Sequence, residues 1–113
     1  MRREEQDIQR SVFEHVAWRR VPNLFAFHPA NGGWRSPIEA RIMKGLGVVP
    51  GVPDVILIRN RVYGLELKAE GGRLSPAQLQ THEQMRAAGA TVEVATGIDE
   101  AIEQLKTWGL LRS

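Results

Sequence analysis

The chain has 113 residues, of which 42% are hydrophobic and 25% charged, and its formal net charge is +2. We expect a single domain spanning residues 1–113, and the composition excludes a largely disordered chain. The absence of cysteine excludes a disulfide scaffold, thiolate zinc sites and a thiol nucleophile. A polar amino terminus and the lack of a long apolar run argue against a secretory signal and a membrane span. The net charge is too small for a protein that coats nucleic acid, although residues 1–47 carry eight Lys or Arg against five Asp or Glu.

The amino-terminal half predicts two helices around a short extended segment. Apolar residues at four-residue steps predict an amphipathic helix over residues 3–20. Residues 24–27 then form a short strand or an extended run, followed by a loop rich in Asn and Gly. A second helix is predicted from Ser36, as its cap, to about Lys44.

The carboxy-terminal half predicts three strands and two helices. Residues 55–58 and 62–68 are typical of a hairpin with a polar turn between its strands. Ser75, a following proline and Gln78 form a capping-box signature for a helix that runs to about Ala88. After it come a strand over 91–95 and a last helix capped by Asp99, whose apolar stripe comprises Ala101, Ile102, Leu105 and Trp108. This order predicts an α/β fold with a small mixed sheet flanked by helices.

The second hairpin strand carries charges where a central strand should be apolar. Side chains alternate along a strand, so Leu65 and Leu67 share the core face while Glu66 and Lys68 share the other. In a central strand these charges lose hydration unless they find partners, and Asp54 at the entrance of the neighbouring strand is the nearest candidate. The alternative is an edge hairpin whose charges simply face solvent.

Two carboxylates held close together repel, and a divalent cation removes that repulsion most directly. Oxygen ligands without sulfur point to Mg²⁺ or Mn²⁺ rather than zinc. Such a site supports hydrolysis of a phosphodiester, because the cation polarises a phosphoryl oxygen and lowers the pKa of a bound water. A neighbouring lysine could orient that water or stabilise negative charge.

Pro53-Asp54, eleven intervening residues and Glu66-Leu67-Lys68 match the pattern of the PD-(D/E)XK nucleases. Further segments follow in order along the chain: Glu5 to Gln9, Asn31-Gly32-Gly33, Gly47 to Pro53, Gly72 to Gln78, Ala88-Gly89 and Val92 to Val94. Together they resemble a stand-alone VRR-NUC domain (virus-type replication-repair nuclease), and the resemblance covers essentially the whole chain. It implies a restriction-endonuclease-like core.

The resemblance also implies roles for particular residues. Asp54, Glu66 and the main-chain carbonyl of Leu67 would bind the metal, and Lys68 would be the catalytic lysine. Gln78 matches a glutamine that supports the active site, although the capping box alone also explains a glutamine there.

A glutamate on the first helix belongs to the site of this family, and Glu5 fits best. Glu4 and Glu14 are the alternatives, and an acidic residue in the first turn is also favoured by the helix dipole alone. His28 is interpreted as a loop residue outside the metal site. The other two histidines, His15 and His82, are interpreted as residues on helix surfaces.

Four polar residues flank the loops that lead to and from the predicted metal site, and they are candidates for holding DNA phosphates. They are Asn31, Arg35, Lys44 and Arg73. The alternative is plain solubilising charge.

The resulting expectation is an Mg²⁺- or Mn²⁺-dependent endodeoxyribonuclease without a small-molecule cofactor. It would act on branched or junction DNA in replication, repair or recombination. A homodimer is expected, in the cytoplasm of a bacterium or a phage-infected host. A DNA-binding module that does not cleave is the main alternative, and an RNA-directed hydrolase ranks lower because no aromatic pair typical of RNA recognition is present.

Overall fold

The structure is a computed structural model that describes residues 3–30 and 36–113. Its elements in chain order are α1 (Arg3–Arg19), β1 (Phe25–Phe27), α2 (Pro37–Gly45), β2 (Val55–Ile58), β3 (Val62–Lys68), α3 (Pro76–Ala87), β4 (Thr91–Thr96) and α4 (Gly97–Thr107). No helix in this part of the chain combines the length and the hydropathy of a membrane span. The segment that was predicted to be a short strand or an extended run contains a strand, Phe25–Phe27. The predicted helices lie close to their expected bounds.

The four strands form one mixed sheet in the order β1-β2-β3-β4. The predicted hairpin is present: β2 and β3 pair antiparallel, with Val55 opposite Leu65. β1 extends the sheet antiparallel to β2, and β4 pairs parallel to β3. The small mixed sheet flanked by helices is thus confirmed, and β3 lies between two strands.

The main hydrophobic core lies between one face of the sheet and the helices α1 and α4. Buried side chains of this core include Val12 of α1, Leu65 and Leu67 of β3, and Leu105 of α4. Because side chains alternate along a strand, Glu66 points to the opposite face, which α3 covers. The apolar core therefore holds β3 in place while its charged residues face a different layer.

Capping and close backbone packing fix the first turn of α3. The Ser75 hydroxyl accepts a hydrogen bond from Gln78 N at 3.1 Å, and Gln78 Oε1 accepts one from Ser75 N at 2.9 Å. Gly51 lies against this turn with φ +84°, and a Cβ there would collide with the Ala77 carbonyl. Thr81 Oγ1 donates to the Pro50 carbonyl at 2.6 Å. Together these contacts fix α3 against the loop that leads into β2.

The predicted cap of the last helix is wrong. α4 begins at Gly97, two residues before Asp99, and Asp99 lies in its first turn. Gly97 has φ +83°, a conformation that glycine adopts at little cost, so the chain turns directly from β4 into the helix. The carboxylate of Glu100 accepts the hydrogen bond from Thr96 N at 2.7 Å and replaces the expected side-chain cap.

Candidate active site

Asp54 and Glu66 reach the same place from two paired strands. Asp54 immediately precedes β2, and its Oδ2 accepts a hydrogen bond of 2.8 Å from the main-chain N–H of Leu67 in β3. Glu66 is one residue away on β3, and only 1% of its surface is exposed. The hairpin register therefore brings the two carboxyl groups together at the start of β2.

Each carboxylate oxygen of Glu66 has its own partner on α3. Gln78 Nε2 donates to Oε2 at 3.2 Å, and His82 Nε2 lies 3.1 Å from Oε1. Gln78 therefore serves both the capping box and the contact with Glu66, because its Oε1 and Nε2 act separately. Since α3 is held at its first turn, both contacts are fixed relative to β3.

Burial and the second carboxyl group raise the pKa of Glu66 from 4.5 to about 9. Burial is the largest cause, because desolvation penalises the charged form. A hydrogen bond with Asp54 and the charge of Asp54 raise it further, whereas Lys68 lowers it in part. Without a cation, the pair therefore retains a proton near neutral pH.

Lys68 and Glu5 lie beside this pair. Both are buried, each with 9% of its surface exposed. Glu5 Oε2 accepts a hydrogen bond of 3.4 Å from the N–H of Ala69, the residue after Lys68. A Cβ at Gly72 would lie 3.4 Å from both Glu5 Oε2 and Lys68 Cδ, so a glycine at this position leaves room for the two side chains.

Of the three glutamates considered on α1, only Glu5 is buried. Glu4 and Glu14 are exposed. The charge of Glu5 also contributes to the raised pKa of Glu66. The structure therefore brings Glu5 together with the predicted site, and its predicted role stays a prediction.

The donor set suits a hard cation but does not enclose one with side chains alone. In residues 3–30 and 36–113, no group of three or more His, Cys, Asp or Glu side chains is arranged to hold a metal ion. Mg²⁺ is commonly held by one or two carboxylates together with several waters and substrate phosphates, so two carboxylates would be enough protein side chains for it. The predicted Leu67 carbonyl ligand stays a prediction.

The predicted DNA contacts are not gathered around the carboxylates by any contact that the structure describes. Lys44 lies in the last turn of α2 and is exposed. Arg73 is exposed in the loop after β3, next to Gly72. Asn31 and Arg35 lie outside the described residues. Their roles as phosphate contacts stay predictions.

His82 does not lie on a helix surface, as the sequence led us to expect. It is 1% exposed and contacts Glu66. The signal was available in its spacing, because His82 follows Gln78 by four residues and so lies on the same helix face. His15 is half-buried on α1, and His28 is exposed, with Nδ1 donating to the Asp54 carbonyl at 2.7 Å.

Comparisons with known proteins agree with this fold. A family model of the VRR-NUC domain matches residues 3–99. A solved structure of a VRR_NUC domain protein is similar with a TM-score of 0.77 and 25% identity, over 96% of this chain and 89% of the other. A second, of a VRR_NUC domain, has a TM-score of 0.59 and 24% identity, over 92% of this chain and 95% of the other. No curated protein matches the chain. The chain belongs to the VRR-NUC family of nuclease-type domains.

Proposed function

We propose that residues 1–113 act as one metal-dependent endodeoxyribonuclease domain that hydrolyses phosphodiester bonds in branched DNA. Asp54, Glu66 and the Leu67 carbonyl would hold Mg²⁺ or Mn²⁺. Lys68 is the catalytic lysine, and Gln78 and Glu5 are further residues of the active site. The place of action is the cytoplasm, in DNA replication, repair or recombination.

The observation that carries this proposal is the burial of Glu66 against Asp54. A buried carboxyl group beside a second one is costly for the fold unless a proton or a cation lies between them. Glu66 accepts hydrogen bonds from two side chains of α3, and Asp54 accepts one from the main chain, so both are held in fixed orientations. A fixed pair of hard oxygen ligands fits Mg²⁺ or Mn²⁺.

The side chains around this pair have distinct tasks. When bound, the cation polarises a phosphoryl oxygen and lowers the pKa of water. Lys68 supplies a positive charge on the same strand face as Glu66, where it can orient the attacking water or stabilise the negative charge that develops on the phosphate. Glu5 fixes the turn after Lys68 through Ala69 N. Hydrolysis adds water across one P–O bond and leaves a hydroxyl end and a phosphate end.

A cleavage assay tests this function. Labelled single-stranded, duplex, flap and four-way-junction DNAs are incubated with Mg²⁺, with Mn²⁺ and with EDTA. We expect cleavage with either cation, faster on branched DNA, and none with EDTA. Binding to DNA without cleavage under every condition would instead identify a DNA-binding module.

We also propose that the chain acts as a homodimer, because two active sites suit a branched substrate. Apolar side chains support this: Ile38 and Ile42 of α2 and Leu46, the residue that follows the helix, recur at four-residue steps and are exposed. Monomeric proteins rarely expose a continuous apolar stripe. Light scattering is expected to give twice the mass of 12.7 kDa, and Leu46→Glu should shift the protein towards the monomer. A parent chain that is monomeric at micromolar concentration contradicts the proposal.

Arg73 is predicted to bind a DNA phosphate next to the site. Arg73→Ala should weaken DNA binding and flatten the dependence of log affinity on log salt concentration by about one unit, because one fewer counterion is released. Binding is measured by fluorescence anisotropy in EDTA, which prevents cleavage. Lys106→Ala on α4 is the matched control and should leave the slope unchanged. An unchanged slope for Arg73→Ala would mean that this charge serves solubility alone.

A further inference from the structure

His82 is a buried histidine for which the family resemblance gave no role. It lies on α3, one helical turn after Gln78, and is 1% exposed. Each of the two side chains contacts one oxygen of the Glu66 carboxylate: Gln78 contacts Oε2, and His82 contacts Oε1. The third side-chain partner of Glu66 is Asp54, the carboxyl group with which it shares the predicted metal site.

When Glu66 is ionised, as a metal ligand must be, the chemistry of the contact fixes which atom donates. An ionised carboxylate can only accept, so His82 Nε2 must carry the hydrogen whenever Glu66 is charged. Nδ1 is then an acceptor, and it is buried with no partner among the described residues. Burial, followed by the charge of Arg86, lowers the pKa of His82. The contact with the ionised carboxylate is therefore a hydrogen bond that the imidazole Nε2–H donates to Glu66 Oε1.

The ring has little freedom to move. Its helix is fixed by the capping box at Ser75, by the hydrogen bond from Thr81 to the Pro50 carbonyl and by the close approach of Gly51. A rigid imidazole on a fixed helix restricts the carboxylate more than a solvent-exposed donor would. A buried histidine with one unsatisfied nitrogen also costs stability, because that nitrogen loses its hydrogen bond to water. A leucine would fill the space without this cost, so packing alone does not explain a histidine here.

We propose that His82 is a positioning residue that, together with Gln78, orients the Glu66 carboxylate for the divalent cation. The inference rests on the proposed function, because it requires Glu66 to be a metal ligand. Groups that hydrogen-bond a metal ligand usually change metal affinity by about 10- to 100-fold when they are removed. Metal affinity depends on the hydrogen-bond donor at the Nε2 position and not on the size of the ring.

Two substitutions separate the donor from the bulk of the side chain. Glutamine can place its amide nitrogen near the Nε2 position, whereas asparagine is one carbon shorter and reaches only the Nδ1 position. We expect His82→Asn to weaken Mn²⁺ binding by about 10- to 100-fold and His82→Gln to restore most of that loss. Affinity is measured without DNA by titration calorimetry and by the EPR signal of free Mn²⁺. Gln84→Ala, an exposed change on the same helix, should bind as the parent does.

A purely structural role gives a different pattern. Both His82 variants would then lower the melting temperature while binding Mn²⁺ as the parent does, and that result would overturn the inference while leaving the metal site intact. Parent protein that binds no Mn²⁺ would overturn the proposed function together with this inference.

A measurement on the parent covers the case in which the variants do not fold. Nitrogen NMR of the ring in saturating Mg²⁺, where Glu66 is ionised, should show the hydrogen on Nε2, and the signals should differ from those of the metal-free protein. An Nδ1–H tautomer in saturating Mg²⁺, or signals that are the same with and without Mg²⁺, would contradict the assigned role.

Discussion

Replacing Lys68 by methionine is expected to lower the rate of DNA cleavage by about 10²- to 10⁴-fold. Methionine keeps most of the length of the buried stem but removes the charge that the site would use on the water or the phosphate. Because the side chain is 9% exposed, its charge acts where little water screens it. Single-turnover cleavage of labelled DNA in Mg²⁺ measures the effect, and circular dichroism verifies the fold.

Lys106→Met is the matched control, since Lys106 is an exposed lysine on α4. It should cleave at the parent rate. Asp54→Asn and Glu66→Gln keep the side-chain shape but each removes a carboxylate of the predicted metal site, so both should abolish cleavage. A Lys68→Met protein that cuts at the parent rate would show that the lysine has no part in the reaction.

In the absence of a divalent cation, the free energy of unfolding is expected to fall as the pH rises from about 7 to about 9. The folded pKa of Glu66 is about 9, whereas its ordinary value is 4.5. Over this range the folded state therefore holds a proton that the unfolded state has released, and deprotonation disfavours folding. One such proton gives a slope of the order of 1 kcal/mol per pH unit.

The pH window is chosen to exclude the titration of His82. Burial lowers the pKa of His82 below its ordinary value of 6.5. Between the two pKa values the unfolded state binds more protons, so the free energy of unfolding rises with pH there. Above pH 7 the histidine is deprotonated in both states, and it adds no further change. Above pH 7, Glu66 is the one described group whose shifted pKa makes stability change with pH.

Urea unfolding at several pH values, with EDTA or with Mg²⁺, measures this dependence. Mg²⁺ should remove the loss of stability at high pH, because it takes the place of the proton between Asp54 and Glu66. Glu66→Gln should make stability independent of pH in this range and insensitive to Mg²⁺. A parent protein whose stability in EDTA is flat from pH 7 to 9 would contradict the buried pair.

Local signals account for the parts of the fold that could be predicted. The hairpin of β2 and β3 follows from two apolar runs with a polar turn, and α3 follows from Ser75, a proline and Gln78, which form a complete capping box. The start of α4 was mispredicted because Asp99 has a strong capping preference. The positive φ of Gly97 and the side chain of Glu100 together remove the need for that cap.

The part of the candidate site that was missed depends on tertiary packing. The buried face of α3 consists of Thr81 and His82 rather than of apolar residues, so hydropathy gave no sign that this face is buried. It is polar because it covers the charged face of β3, where Glu66 needs hydrogen-bond donors. Glu5 reaches the site only because α1 packs across the sheet, which no local pattern in residues 3–20 specifies.

Anomalous diffraction from a crystal grown with Mn²⁺ tests the paired carboxylates most directly. We predict a manganese peak between the Asp54 and Glu66 side chains, with Gln78 and His82 still bonded to Glu66, and no such peak for Glu66→Gln. A parent crystal in millimolar Mn²⁺ that shows no anomalous peak between these two carboxylates would contradict the proposed site.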